Sequence, residues 1–372
     1  MWKAFRRLWR LLELHVTTFG VVALVSINSF LTRTRMSHEN GIALAGRLRI
    51  VDDPQFPPHE FFSAAREFGC RIRHGAASFT DDAKMVVRSA SLKFADDRDT
   101  SPFDLIMNSG RTSLFWTARM FVQFMRVTLA GRGKEFVPYL AKYPLSVEAT
   151  NDGVRRDPTS FAEMSYYSQT VFGFVGLDGV RRYVRYRMIP RDYGGVDSGM
   201  PDAEDRRHSW LQNPYDDETR SRNYLKDEIA ARIARTGGVH YKLQLQLRDW
   251  PDAVSPEFIS SGLIWSETEF PWRDVADITL DRALDYVESM LTSFDIGNHP
   301  PSLPVPPATS IDDYHSINHL RLKGWPAQKA RLLSYRLFGM LPKFPDSRQA
   351  PDWYGIPPMV PPPARAERPP AG

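Results

Sequence analysis

Three short segments of this chain carry the residue types that chemistry would need. Arg35-Met-Ser-His38 places an imidazole beside a hydroxyl and three residues after a guanidinium. Phe103-Asp-Leu-Ile-Met-Asn108 ends an apolar run on a carboxamide, which can donate to a bound oxygen. Arg331-Leu-Leu-Ser-Tyr335 sets a guanidinium four residues before a phenol, the spacing of neighbours on a helix face. Each is unremarkable alone. A single histidine beside Ser and Gly is commonly a loop residue, and an Asn closing a strand is commonly a turn. Imidazole is nonetheless the side chain that takes and returns protons near neutral pH.

Other candidates read as structure. His315 and His319 are four apart but lack a nearby cysteine or carboxylate. Asp52-Asp53, Asp81-Asp82 and Asp216-Asp217 look like turn acids, and Cys70 reads as a small buried hydrophobe. The arginine runs at 181–187 and 205–207 are interleaved with acids and read as a solvated face, so no nucleic-acid partner is expected. No Walker loop, GxGxxG, HExxH or GxSxG is present. One cysteine excludes an internal disulfide framework and a Cys-rich metal site.

The elements that must position these residues are mostly strands. Residues 43–51, 70–79, 85–94, 180–188 and 238–248 alternate polar and apolar side chains, with Asp- and Pro-rich turns between the first of them. Helical periods occupy 111–130, 218–235, 281–292 and 326–340. Strands early and helices late predict an α+β body around an antiparallel sheet or barrel, not alternating βαβ units. At 372 residues, 42% hydrophobic and 25% charged, the chain can bury a sizeable core. Its net charge of +4 is arginine-based: ten of the 48 basic residues are lysine.

Both ends differ from this body. Residues 1–10 are basic and aromatic, and 16–31 are uncharged. Sixteen residues fall short of the roughly 20 that span a bilayer, and no signal-cleavage pattern follows. A helical arm is expected, packed on the body or in peripheral contact with a membrane, with a true anchor or signal as the third alternative. Residues 299–307 (HPPSLPVPP) read as an extended linker, and 342–372 as a Pro-rich tail. The division is therefore 1–33 arm, 34–341 body and 342–372 tail. The setting expected is cytoplasmic, with membrane association through residues 1–33 and homo-oligomerisation left open.

Taken in order, the segments resemble the haem catalase superfamily. RMSHENG (35–41) is similar to its distal-histidine segment, VRSASLKFADD (87–97) to its "RGFALKF" strand, and FDLIMNSG (103–110) to the segment with its distal asparagine. RLLSY (331–335) resembles the proximal R-x-x-x-Y motif, and RIRHG (71–75) the strand whose arginine faces haem. The 70 residues from His38 to Asn108 suit the smaller, catalase-related branch, which includes allene oxide synthase-like proteins and small peroxidases.

The resemblance implies a catalase-like antiparallel β-barrel with flanking helices, haem b as cofactor, and a hydroperoxide substrate, more readily organic or fatty-acid derived than hydrogen peroxide. Catalase activity would be weak. His38 would be the acid–base group, Asn108 a hydrogen-bond donor to the peroxide and Phe121 the wall of the distal side. Ser37 stands where typical catalases carry valine, and would orient or restrain His38. Tyr335 would ligate the iron as a phenolate favoured by Arg331, with Arg35 and Arg73 pairing with propionates. The chain departs from the family in two places. SINHLRLKGW (316–325) is similar to a family segment whose last residue is the ligating tyrosine, and here that residue is Trp325. The arginine expected seven residues after the ligand falls on Pro342, beside Lys343. Tyr314, or loss of the tyrosine ligand, is the alternative to Tyr335, and a haem-free or catalytically silent catalase-fold protein that binds a lipid or a partner is the alternative function.

Overall fold

The computed structural model describes residues 2–77, 81–129, 139, 141–207, 214–250 and 256–340. Ten antiparallel strands form: β1 (Asn40–Ile50), β2 (Glu67–Ala76), β3 (Val86–Lys93), β4 (Asp104–Asn108), β5 (Val154–Arg155), β6 (Tyr166–Ser168), β7 (Phe172–Val175), β8 (Arg181–Pro190), β9 (Val239–Asp249) and β10 (Arg273–Ala283). Eight of them close a barrel in the order β2-β1-β10-β9-β8-β6-β4-β3, with β3 returning to β2; β5 adds to β3 and β7 to β8. Closure leaves no free edge among these eight strands.

The helices lie outside the barrel: α1 (Trp2–Thr32), α2 (Ala118–Leu129), α3 (Pro144–Gly153), α4 (Ala203–Arg207), α5 (Tyr224–Thr236), α6 (Tyr286–Leu291), α7 (Ile317–Leu322) and α8 (Trp325–Phe338). The α+β expectation holds, and so do the five strand readings and the helices near 218–235 and 326–340. Two helical readings shorten. The helix expected from 111 starts at Ala118, and that expected from 281 starts at Tyr286, because Asp281–Ala283 complete β10 against β1. β10 itself was not expected, although RDVADITLDRA alternates as a half-buried strand should.

Residues 299–307 are not a linker. Leu303 and Val305 are buried, and the carbonyls of Ser302 and Pro304 accept the amides of Val175 and Gly173 at 2.9 and 2.7 Å. The prolines cannot donate to a ladder, but their carbonyls still accept, so the strap seals β7. The tail at 342–372, with Pro342 and Lys343, lies outside the described residues.

The barrel interior is packed with side chains, not hollow. Phe61, Phe94, Phe103, Phe172 and Tyr186 form one cluster with ring centroids mostly 5–6 Å apart. The Tyr166 and Tyr241 hydroxyls both donate to the Phe161 carbonyl, and His74 stacks on Phe161. Below them Lys93 and Asp104 form a fully buried ion pair at 3.1 Å, with Asp104 also accepting from Asp295 N and Asn298 Nδ2. Breaking one side of such a pair strands a charge. Lys93→Met should therefore lower stability by about 3–5 kcal/mol, read in a denaturant titration; a loss under 1 kcal/mol would mean that Asp104 is neutral in the fold.

Candidate active site: a cavity between the barrel and three helices

A cavity of about 350 Å³ opens between strands β2–β4 and helices α1, α7 and α8. β1 and β2 set the first wall. Gly41 faces Gly75, and a Cβ on Gly41 would lie 2.2 Å from the His74 carbonyl oxygen, so only glycine lets the strands close here. His38 sits just before β1 with a left-handed backbone, φ +56°. Its carbonyl accepts Arg73 Nη1 at 2.7 Å, and Glu39's carbonyl accepts Arg73 Nη2 at 2.6 Å. The segment turns sharply and is pinned, which aims the imidazole into the cavity.

β3 and β4 set the second wall. Ser89 pairs with Asn108, and both face the cavity beside Ser91 and Ile106. The Asn108 amide is a wall group with no hydrogen bond to a described side chain. Phe121, on α2, closes the side, packed against Phe115 at 4.9 Å. The outer wall is apolar and comes from α1, through Val21, Val22 and Val25, with Ser29. The N-terminal arm is thus part of the site.

His38 has its pKa pushed down to about 4, first by burial, then by Arg73 and Arg88. It is a neutral imidazole at pH 7, with a buried Nδ1 that has no partner. Ser37, expected to orient or restrain His38, makes no hydrogen bond to the imidazole Nδ1. Ser37 lines the cavity, and the backbone around His38 orients the ring instead. Chemistry that needs neutral His38 should stay level from neutral pH downward and fall only near pH 4. A pH–rate profile breaking near 6.5, the ordinary histidine value, would contradict this environment. Stability has the same sign. A folded pKa below the unfolded one contributes fully above pH 6.5, and the contribution is lost as pH falls from 6.5 to about 4.

Three arginines converge at one end. Arg35 Nη2 donates to the carbonyls of Met290 and Thr292 at 3.0 and 2.7 Å, and Arg331 Nη1 to Met290's at 2.6 Å. Arg73 Nε reaches the Ser289 carbonyl at 3.1 Å. All three line the cavity, and Glu39 is the carboxylate among them. Burial and mutual repulsion push Arg73 down to about 10 and Arg35 well below its ordinary value. While Arg331 is engaged with the Tyr335 hydroxyl, Arg35 and Arg73 could pair with the two propionates of a haem. The neutral His38 and free Asn108 amide suit its distal face. On the opposite side Arg321, Gly324, Ala327, Gln328 and Arg331 face the cavity.

Tyr335 lies one turn beyond. It is buried, its hydroxyl accepts Arg331 Nη1 at 3.1 Å, and it is not among the lining residues. Trp325 starts α8 with its ring under the Lys329 ammonium at 5.7 Å and also lies outside the lining. His315 and His319 are apart in role: His315 Nε2 bonds the Pro307 carbonyl and His319 packs on His15. No cluster of three His, Cys, Asp or Glu able to hold a metal exists among the described residues.

Sequence reasoning missed Gln169, Thr170 and Arg321. Arg321 is half-buried, and desolvation of its guanidinium pushes its pKa down to about 10; it donates to Asn318 Oδ1 at 2.9 Å and to the Gln169 carbonyl. Its signal was present in SINHLRLKGW, where only Trp325 had drawn notice.

A closed antiparallel barrel with this helical flank is the catalase fold. A bacterial catalase superposes with a TM-score of 0.63 at 16% identity, over 88% of this chain and 64% of that one. Catalase A of Saccharomyces cerevisiae gives 0.62 at 14%, over 84% and 65%. In sequence, the chain is 35% identical over 291 residues to the allene oxide synthase-lipoxygenase protein of Plexaura homomalla, covering 77% of this chain and 27% of that one. It is 26% identical over 307 residues to linolenate 9R-lipoxygenase of a Nostoc species, covering 79% and 38%. An uncharacterized protein of Sinorhizobium fredii, y4iK, is 31% identical over 229 residues, 60% of this chain and 95% of that one. The chain spans about a quarter to two fifths of the first two relatives. No family model matches it. The chain thus has the fold of catalases, and in sequence it is similar to part of the allene oxide synthase-lipoxygenase protein.

Proposed function

We propose that this chain is a haem-dependent enzyme that metabolises organic or lipid hydroperoxides, by peroxidase, peroxygenase or allene-oxide-forming chemistry, with weak catalase activity. One observation carries the reading: a neutral, cavity-facing His38 and a free Asn108 amide stand at the inner end of a cavity whose outer wall is apolar. Val21, Val22 and Val25 of that wall suit an acyl chain better than hydrogen peroxide. His38 takes the hydroperoxide proton and returns it to the departing oxygen; Asn108 donates to the peroxide; Phe121 and the α1 valines exclude water. Arg35 and Arg73 would hold the haem's propionates, and Tyr335, beside Arg331, would hold its iron. Bound there, haem b would supply the electrons that cleave the O–O bond.

A second reading is favoured by the place of Tyr335 behind Arg331 and of Trp325 outside the lining: a haem-free cavity that binds a lipid. Reconstitution with haemin, followed by incubation with hydrogen peroxide and with fatty-acid hydroperoxides, each with and without an electron donor, separates the two. Turnover of the fatty-acid hydroperoxide well above that of hydrogen peroxide supports the enzyme. Failure to take up haemin, with a fatty acid still bound, supports the second reading.

A further inference from the structure

The outer face of α1 is apolar and faces solvent. Trp2, Phe5, Trp9, Leu12, Val16 and Phe19 recur at steps of three and four along it, and all are exposed, Phe19 by 77%. Soluble proteins put this periodicity against their core. Here the inward face is a different set: Leu14, Thr18 and Ser29 are buried on the body, and Val21 and Val25 line the cavity. The stripe continues onto α8. Phe30 meets Phe338 edge to face at 5.9 Å, and Leu333, Leu337 and Phe338 are exposed beside it. Arg33 ties the two helices by donating to the carbonyls of Phe338 and Gly339.

Charge selects the occupant. Arg6, Arg7 and Arg10 are exposed on α1, and Lys329 and Arg336 on α8. The two helices contain one acid, Glu13, which is engaged by Arg119 at 2.9 Å. A second copy laid stripe to stripe would bring these arginines no acidic partner in either direction. An anionic lipid surface satisfies the cations and the apolar stripe at once, and aromatic side chains favour that boundary.

We propose that α1 and α8 form a monotopic docking surface for an anionic bilayer, with α1 lying in the interface and presenting its inner face to the cavity. The helix does not span. Ala4–Thr32 is long and apolar enough to cross a bilayer, longer than the 16 uncharged residues suggest. A span would nonetheless strip Leu14, Thr18 and Ser29 from the body and break Glu13–Arg119. This inference does not depend on haem or on turnover.

The test uses the full chain and sedimentation with phosphatidylcholine vesicles, with and without phosphatidylglycerol. Binding is expected to the mixed vesicles, weakened on the order of 100-fold by R6Q/R7Q/R10Q, from about 1 kcal/mol per basic residue at an anionic surface. W9E/F19E should abolish it with an unchanged thermal melt, since both side chains are exposed. Trp fluorescence should be quenched by bromines placed near the glycerol backbone and not at the bilayer centre. Failure of the wild-type chain to sediment, binding indifferent to both variants, a stable dimer that shields the stripe, or resistance to alkaline extraction as a spanning protein would each overturn the proposal.

Discussion

Changing His38 to Ala should lower turnover of a fatty-acid hydroperoxide by about 10²–10⁴-fold, the range a positioned acid–base group supplies. The loss should appear in kcat more than in KM if, as proposed, the imidazole acts on the proton in transit and the cavity-lining α1 valines hold the substrate's chain. Truncation also removes a ring that packs the cavity wall, so His38→Gln is the companion variant: it fills the space but cannot shuttle the proton. Both should be slow. If His38→Gln turned over like the wild type, His38 would be a wall residue only. Since the His38 carbonyl anchors Arg73, the backbone contribution survives either change, and the arginine cluster should stay in place.

The second large effect is at Tyr335. In haem-loaded protein, Tyr335→Phe should remove the high-spin ferric tyrosinate spectrum. It should weaken haem retention by at least about 10–100-fold, the loss that even outer-shell partners of a metal site produce. The same change costs little stability, because it deletes one hydroxyl whose partner, Arg331 Nη1, also donates to the Met290 carbonyl. Fold and ligand effects therefore separate. An unchanged spectrum with full haem occupancy would exclude Tyr335 as ligand. It would turn attention to the wall formed by Arg321, Gly324 and Gln328.

Much of the body was legible in the chain. Period-two alternation located β1, β2, β3, β8 and β9 within a few residues, because each has one face on the barrel core and one outside. β6 and β7 were not seen as strands. They are three and four residues long, too short for a period, and FAEMSYYSQTVFGF is apolar on both faces where it is buried. The helix expected from 281 starts late because a strand end and a short helix join without a breaker; pairing with β1 decides where the strand stops.

Of the site, the residue types and their order were readable: Arg35, His38, Arg73, Asn108, Phe121 and Arg331 all reach one cavity. Residue types persist in a linear chain because the chemistry of each is its own. Their directions do not. Tertiary packing alone decides that Ser37 leaves the imidazole unbound, that Tyr335 turns to Arg331, that Arg321 joins the wall, and that an N-terminal helix closes the cavity while turning its apolar side outward. Each depends on contacts between segments tens to hundreds of residues apart, such as Arg35 with Met290 or Arg331 with the same carbonyl. No local pattern encodes such a pairing, since its energy exists only once the barrel has closed.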